Sequence, residues 1–164
     1  RFATEAYNKT GRIGKIVTPC IARDYVTLTL RQSRNPERDS NETESRKFAQ
    51  RCDRKVIFVK DNEDSSLSLE DRMKLYAGAY MNIMVINGPA TLCFHSNAPY
   101  ICMRTIGCER SGSTSRASSE ENGIYPGFQF PWATERQKLS YLTDSAENLD
   151  YEYQLMQDAK RRAA

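Results

Sequence analysis

Ser68–Pro89 reads SLEDRMKLYAGAYMNIMVINGP, and the way these residues divide into elements decides the fold. Ser68-Leu69-Glu70-Asp71 has the form of a helix start, with a small hydroxyl residue followed by acidic residues in the first turn. Apolar residues then fall at positions 69, 73, 76, 80, 83 and 84, steps of three and four that place them on one helical face. Asn87-Gly88-Pro89 stops the run, because glycine favours a helix C-terminus and proline cannot continue one. The spacing predicts one helix over 68–86.

Working toward the N-terminus, Val56–Val59 (VIFV) fits a buried strand or an apolar helix end equally. Residues 42–54 predict a helix that carries Phe48 and Cys52 on one face, entered through Asn41 and Glu44. Residues 32–43 form a polar turn region. Residues 23–31 alternate, with Val26, Leu28 and Leu30 on one side and Thr27 and Thr29 on the other, which predicts a short strand. Residues 1–22, with two glycines and a late proline, read as an extended arm. The chain opens on Arg1 without a methionine, which leaves room for a targeting segment upstream.

Toward the C-terminus, Ser111–Asn122 is rich in Ser, Thr, Gly and Glu and reads as a loop. Residues 124–132 (IYPGFQFPW) crowd aromatic residues and prolines into a segment that buries area while staying irregular. Thr134 and Gln137 have capping-box spacing. Leu139, Leu142, Ala146, Leu149, Tyr153 and Met156 follow in steps of three and four, predicting a long helix that ends in Lys160-Arg161-Arg162. Such a narrow stripe suits either packing on its own domain or docking on a neighbouring subunit, with Trp132 as an anchor. The resulting expectation is a mainly α fold: an arm over 1–22, a small irregular helical region over 23–130 with at most a small sheet, and a docking helix over 131–164.

At 164 residues the chain has room for one domain with arms. Its 24 basic and 21 acidic residues leave a net charge of +3 spread along the chain, so no polyanion-binding block dominates. No apolar run approaches the roughly 18 residues of a membrane span. Five cysteines without a CxxC pair argue against a closed disulfide framework and a standard zinc module.

Three of those cysteines, Cys93, Cys102 and Cys108, lie with the single histidine, His95, in Tyr76–Arg116. A Cys-His dyad there has no phosphate loop, HExxH or nucleophile elbow beside it, so a non-catalytic protein is expected. Cys93, His95, Cys102 and Cys108 are metal-ligand types at spacings unlike common zinc sites. Cys93 and Cys102, flanked as LCF and ICM, read as small buried hydrophobes. Cys108 follows a glycine and has Arg104, Arg110 and Arg116 around it, which favours a thiolate.

The pattern over 76–121 resembles the bilin-bearing repeat of the red-algal phycoerythrin γ subunits, the coloured linker proteins of phycobilisome rods. The likeness is carried by Tyr76, Met81 and Val85, then Gly88-Pro89, Pro99-Tyr100, Gly107-Cys108-Glu109 and Ser111-Gly112. It implies a light-harvesting linker that organises phycobiliprotein α/β hexamers together with other linker proteins on the stromal face of the chloroplast thylakoid, without membrane insertion or nucleic acid. It further implies a covalent bilin, phycoerythrobilin or phycourobilin, joined by thioether to Cys108, with Cys102 and Cys93 next in line. Arg104, Arg110 and Arg116 would then hold the propionates, and Glu109 or Asp53 the pyrrole N–H groups. Tyr100, Tyr125, Phe128 and Trp132 would wall the pigment. The competing expectations are a linker without pigment and an RNA-associated accessory protein of a ribonucleoprotein, whose scattered cations and aromatics meet phosphates and bases.

Overall fold

The residue pattern of β1 (Tyr25–Arg31) is the alternation expected of a strand, yet both of its faces are buried. Val26, Leu28 and Leu30 are buried on one side, the first two in one core, while Thr27 and Thr29 are buried on the other. The threonines are tolerated there because each has a partner: Thr27 Oγ1 donates to Asn82 Oδ1 at 2.6 Å, and Thr29 Oγ1 shares a hydrogen bond of 2.8 Å with the Tyr76 hydroxyl. A strand covered on both faces belongs at the centre of a parallel sheet. In the computed structural model, which describes residues 24–61, 67–107 and 115–163, it does.

After β1 come a 3₁₀ turn at Pro36–Arg38, α1 (Glu42–Arg51), β2 (Lys55–Asp61), α2 (Leu69–Gly78), β3 (Met81–Val85) and α3 (Ala90–Phe94). The chain ends with β4 (Tyr100–Met103), α4 (Arg116–Glu121), β5 (Gln137–Leu139) and α5 (Ala146–Ala163). The strands form a five-stranded sheet in the order β2-β1-β3-β4-β5, with every pairing parallel. Phe48 of α1 and Leu149, Tyr153 and Met156 of α5 pack with Val26, Leu28, Met81 and Ile83 on one face. Tyr76 of α2, Cys93 and Phe94 of α3 and the segment around Phe128 and Phe130 cover the other. The chain steps from β1 outward to β2, then returns past β1 to β3, so the winding reverses between β1 and β3.

This overturns the mainly α expectation. The predicted helix over 68–86 is two elements: α2 ends at Gly78, Ala79 caps it, and β3 begins at Met81. A Cβ on Gly78 would lie 2.5 Å from the Tyr25 hydroxyl, so glycine lets the helix end close against β1. All of Met81–Val85 is buried, and an unbroken apolar run on a two-sided strand also fills helical spacings. The predicted helix from Thr134 is likewise split. Gln137 Oε1 accepts from the Thr134 N–H at 2.9 Å and the Gln137 N–H donates to the Thr134 carbonyl at 3.0 Å, but this turn opens β5. The helix proper starts at Ala146, and β5 pairs with β4, so the 23–130 and 131–164 segments share one sheet. The expected loop over 111–122 contains α4, capped by the Ser115 side chain. The strand over 23–31 and the helix from 42 are found, and the VIFV run is the strand β2. The arm over 1–22 lies outside the described residues.

Candidate anion site at the carboxyl edge of the sheet

In open α/β sheets the crevice outside the strand carboxyl ends, where the winding reverses, is free of crossover connections and available to ligands. Here the winding reverses between the carboxyl ends of β1 and β3. β1 ends in Arg31, and β3 leads into Ile86-Asn87-Gly88-Pro89. Arg31 reaches across: its Nη1 donates to the Ile86 carbonyl at 2.7 Å, while its backbone N–H donates to Ser40 Oγ at 2.9 Å. The Nε of Arg31 is buried without a hydrogen-bond partner.

Asn87 is 5% exposed. Its Oδ1 accepts from the Ala90 N–H at 2.8 Å, which fixes which end of the amide faces the helix. The Nδ2 that remains is buried and has no partner. Two buried donors without acceptors thus stand at or just beyond the two strand ends between which the winding reverses. Each unsatisfied buried donor costs roughly 1–3 kcal/mol.

Arg104 follows β4 with a φ of 48°, the one left-handed residue other than glycine among the described residues. Its Nη2 donates to the Asp39 carbonyl at 2.6 Å, its Nη1 to the Glu37 carbonyl at 3.4 Å, and its Nε lies 3.3 Å from Asp144 Oδ1. Asp144 Oδ2 also accepts from the Asn41 N–H at 2.7 Å. These contacts tie the loop after β1 to the end of β4 and to Asp144. Burial lowers the Arg31 pKa, and repulsion from Arg38 and Arg104 lowers it further, against the attraction of Asp61 and Asp39. Mutual repulsion of guanidinium groups marks a place where an added anion is favoured.

Of the residues singled out from the sequence, Cys93 and Cys102 are brought together in the same core, one on α3 and the other on β4. Burial pushes both thiols far above the ordinary range, so neither supplies a thiolate. Arg104 belongs to the carboxyl edge. Arg116 sits exposed on α4, its Nε 3.0 Å from Glu120 Oε1. Cys108, Glu109 and Arg110 lie outside the described residues. Tyr100 is buried, Trp132 Nε1 donates to the Phe94 carbonyl at 2.8 Å, and Asp53 Oδ1 accepts from the Tyr153 hydroxyl at 2.8 Å. Tyr100 and Trp132 therefore pack against α3, and Asp53 ties α5 to the β2 entrance. His95 ends α3 and stacks on Trp132 with ring centroids 6.1 Å apart. Among the described residues no cluster of three metal-ligating side chains occurs, and no helix is long and apolar enough to cross a membrane.

Sequence reasoning missed Arg31, Asn87 and Asp61. The available signal was positional, since each stands at or just beyond the end of a strand, but it appears only once three parallel strands are recognised. Fold and edge together define a doubly wound α/β domain with a cationic switch point. No family model, curated protein or solved structure matches the chain.

Proposed function

We propose that this domain binds a phosphate-bearing small molecule in the crevice between the ends of β1 and β3. The observation that carries this reading is the pair of buried, unpartnered donors, Arg31 Nε and Asn87 Nδ2, at the winding reversal. A phosphoryl group offers several acceptor oxygens and a negative charge, which suits an arginine fork assisted by an amide donor. The surrounding Arg38 and Arg104 add attraction without having to touch the ligand. The fold-level rule that ligands occupy this place is an analogy; the donors are the specific support.

Calorimetric titration with inorganic pyrophosphate tests the reading on the native chain and on Arg31→Gln and Asn87→Asp. The expected result is saturable binding that weakens with salt and falls at least about tenfold in each variant, the loss of one charge-assisted bond. No binding to the native chain at low salt, or equal binding by folded variants, overturns it. The pigmented-linker reading, which the resemblance supplied, now turns on Cys108: a bilin mass on the tryptic peptide Thr105–Arg110 from native material would favour it over the phosphate reading.

A further inference from the structure

The two edges of the sheet are finished differently. At β5 the Gln129 side chain stands in for a neighbouring strand: its Oε1 accepts from the Leu139 N–H and its Nε2 donates to the Leu139 carbonyl, both at 2.7 Å. The other edge is β2, which pairs with β1 over all seven of its residues. Among the described residues no strand pairs with β2 on its outer side. The Gln32 N–H donates to the Asp61 carbonyl at 3.4 Å, so the backbone of Asp61 faces β1. Backbone groups alternate in direction along a strand, so Lys55, Ile57 and Val59 also face β1, while Val56, Phe58 and Lys60 face outward. In keeping with this, Arg72 Nη2 donates to the Lys60 carbonyl at 3.4 Å from α2, and that oxygen has a second lone pair to offer.

A long edge strand on which Val56, Ile57 and Phe58 are only half-buried is a template for another strand. The residues of β2 say which one. Two copies of β2 set antiparallel about a two-fold axis at Phe58 bring Phe58 opposite Phe58, Ile57 opposite Val59, Val56 opposite Lys60 and Lys55 opposite Asp61. Every outward-facing residue then meets an outward-facing residue, as hydrogen-bonded antiparallel pairs need. The charges at both ends meet their opposites, and opposite charges directly across a pair of strands attract while like charges destabilise. An axis at Ile57 would set Lys60 against Arg54, and one at Val59 would set Ile57 against Asp61. Both moves break the match between Lys55 and Asp61, so the axis at Phe58 is the register that charge selects.

We propose that β2 is the self-association edge of this protein: a second copy of the chain pairs with it antiparallel, centred on Phe58, and the sheet continues through both copies. The two-fold axis makes the interface self-complementary, so the match of Lys55 with Asp61 occurs twice. Val56, Phe58 and Lys60 exchange backbone hydrogen bonds with the second copy, while the half-exposed Ile57 and Phe58 side chains lose water. One strand per copy is a small interface, so the association is weak and depends on concentration.

Sedimentation velocity and amide hydrogen exchange on the native chain between about 1 and 200 μM, the range of weak complexes, test the proposal. The expected result is a shift from monomer toward dimer, with the amides of Val56, Phe58 and Lys60 exchanging about tenfold or more slowly at the high end and those of β1 unchanged. A chain that stays monomeric throughout overturns the proposal. Protection of the three amides that is already complete in the dilute monomer also overturns it, because other residues of the same chain then cover the edge. These measurements need no variant. Lys55→Glu, at an exposed position, sets like charges opposite each other at both ends and should weaken the dimer about tenfold or more, as should Asp61→Lys. An equimolar mixture of the two folded variants should regain dimers, since each end of the mixed pair again carries opposite charges. Dimerisation of folded Lys55→Glu as strong as that of the native chain, or a mixture of folded variants that stays monomeric, overturns the pairing.

Discussion

Arg31 and Ile86 stand on the two sides of the winding reversal and are joined by a 2.7 Å hydrogen bond from the guanidinium to the carbonyl oxygen. The bond ties the end of β1 to the end of β3 and leaves the Arg31 Nε buried without a partner. Lysine at this position would keep the charge but lose the planar fork. Arg31→Lys should therefore fold, with a loss of about 1–2 kcal/mol from the broken bond, and should bind pyrophosphate at least about tenfold more weakly than the native chain. Thermal unfolding and calorimetry on the same sample separate the two effects, and unchanged affinity in the folded variant would refute the role given to the fork.

Asp61 gives a pH signature. Burial raises its pKa above the ordinary 3.8, so the folded state binds this proton more readily than the unfolded state. The charged carboxylate then costs stability at neutral pH, and the cost is relieved as pH falls through the folded-state pKa. Asp61→Asn should accordingly unfold at a higher temperature than the native chain near about pH 7, with the gap closing as pH approaches the ordinary carboxylate value. A gap that stays constant over that range would show that the carboxylate is not penalised by folding.

Cys93 and Cys102 should resist alkylation. Both are buried, and burial holds both as thiols; reaction needs the thiolate and access to it. Cys52, half-buried at the end of α1, has its pKa raised by burial as well but retains a route to solvent. Under native conditions a maleimide should label Cys52 slowly and leave Cys93 and Cys102 unlabelled until denaturant is added, as read by peptide mass. Native labelling of Cys102 would mean that β4 is not covered as described.

The sequence made β1 and the start of α1 legible because their signals are local: alternation in one and an Asn41 cap in the other, where the Asn41 side chain accepts from the Glu44 N–H. It hid β3 because a strand buried on both faces has no polar face to mark its period, and Met81–Val85 also fits helical steps. The one local sign was Gly78, inside the supposed helix, where the backbone approaches Tyr25. Thr134 and Gln137 misled differently. Their mutual hydrogen bond forms as read, but the Gln137 amide then spends its Nε2 on the Cys93, Ser96 and Ala98 carbonyls, which a strand register supplies and no short-range spacing reveals. Arg104 was noticed for its nearness to Cys108 in sequence, whereas its contacts are with Asp39 and Asp144. The site was illegible for the same reason as the sheet: Arg31 and Asn87 come to one sheet edge only through the strand order.

Asn82 tests that strand order. It is fully buried on β3, where its Nδ2 donates to the Tyr76 carbonyl at 2.9 Å and the Pro99 carbonyl at 2.8 Å while Oδ1 accepts from Thr27. One side chain thus joins β1, the end of α2 and the entrance to β4. Asn82→Ala leaves those buried groups unpaired and should cost about 2–4 kcal/mol, from several lost bonds at roughly 1 kcal/mol each plus a small cavity. A cost below about 0.5 kcal/mol by chemical denaturation, the range of surface substitutions, would mean that β1 and β3 are not neighbours.

The C-terminal helix separates a domain element from a docking arm. Leu149, Tyr153 and Met156 are buried against the sheet and Phe48, with the Phe48 and Tyr153 rings edge-on at 5.6 Å, while Leu142 and Leu155 remain partly exposed. The stripe that suggested a partner groove is therefore filled by the chain's own β-strands, and truncation after Gln129 removes one edge strand together with most of the cover on one face. Such a truncated chain should lose cooperative unfolding altogether, since the sheet would expose the apolar residues of β1, β3 and β4 to water. Leu149→Ala is the milder version and should cost about 2–5 kcal/mol, as for other buried leucines. If residues 24–129 alone unfold cooperatively with a midpoint close to that of the intact chain, α5 is dispensable to the core, and its apolar stripe is free for another molecule.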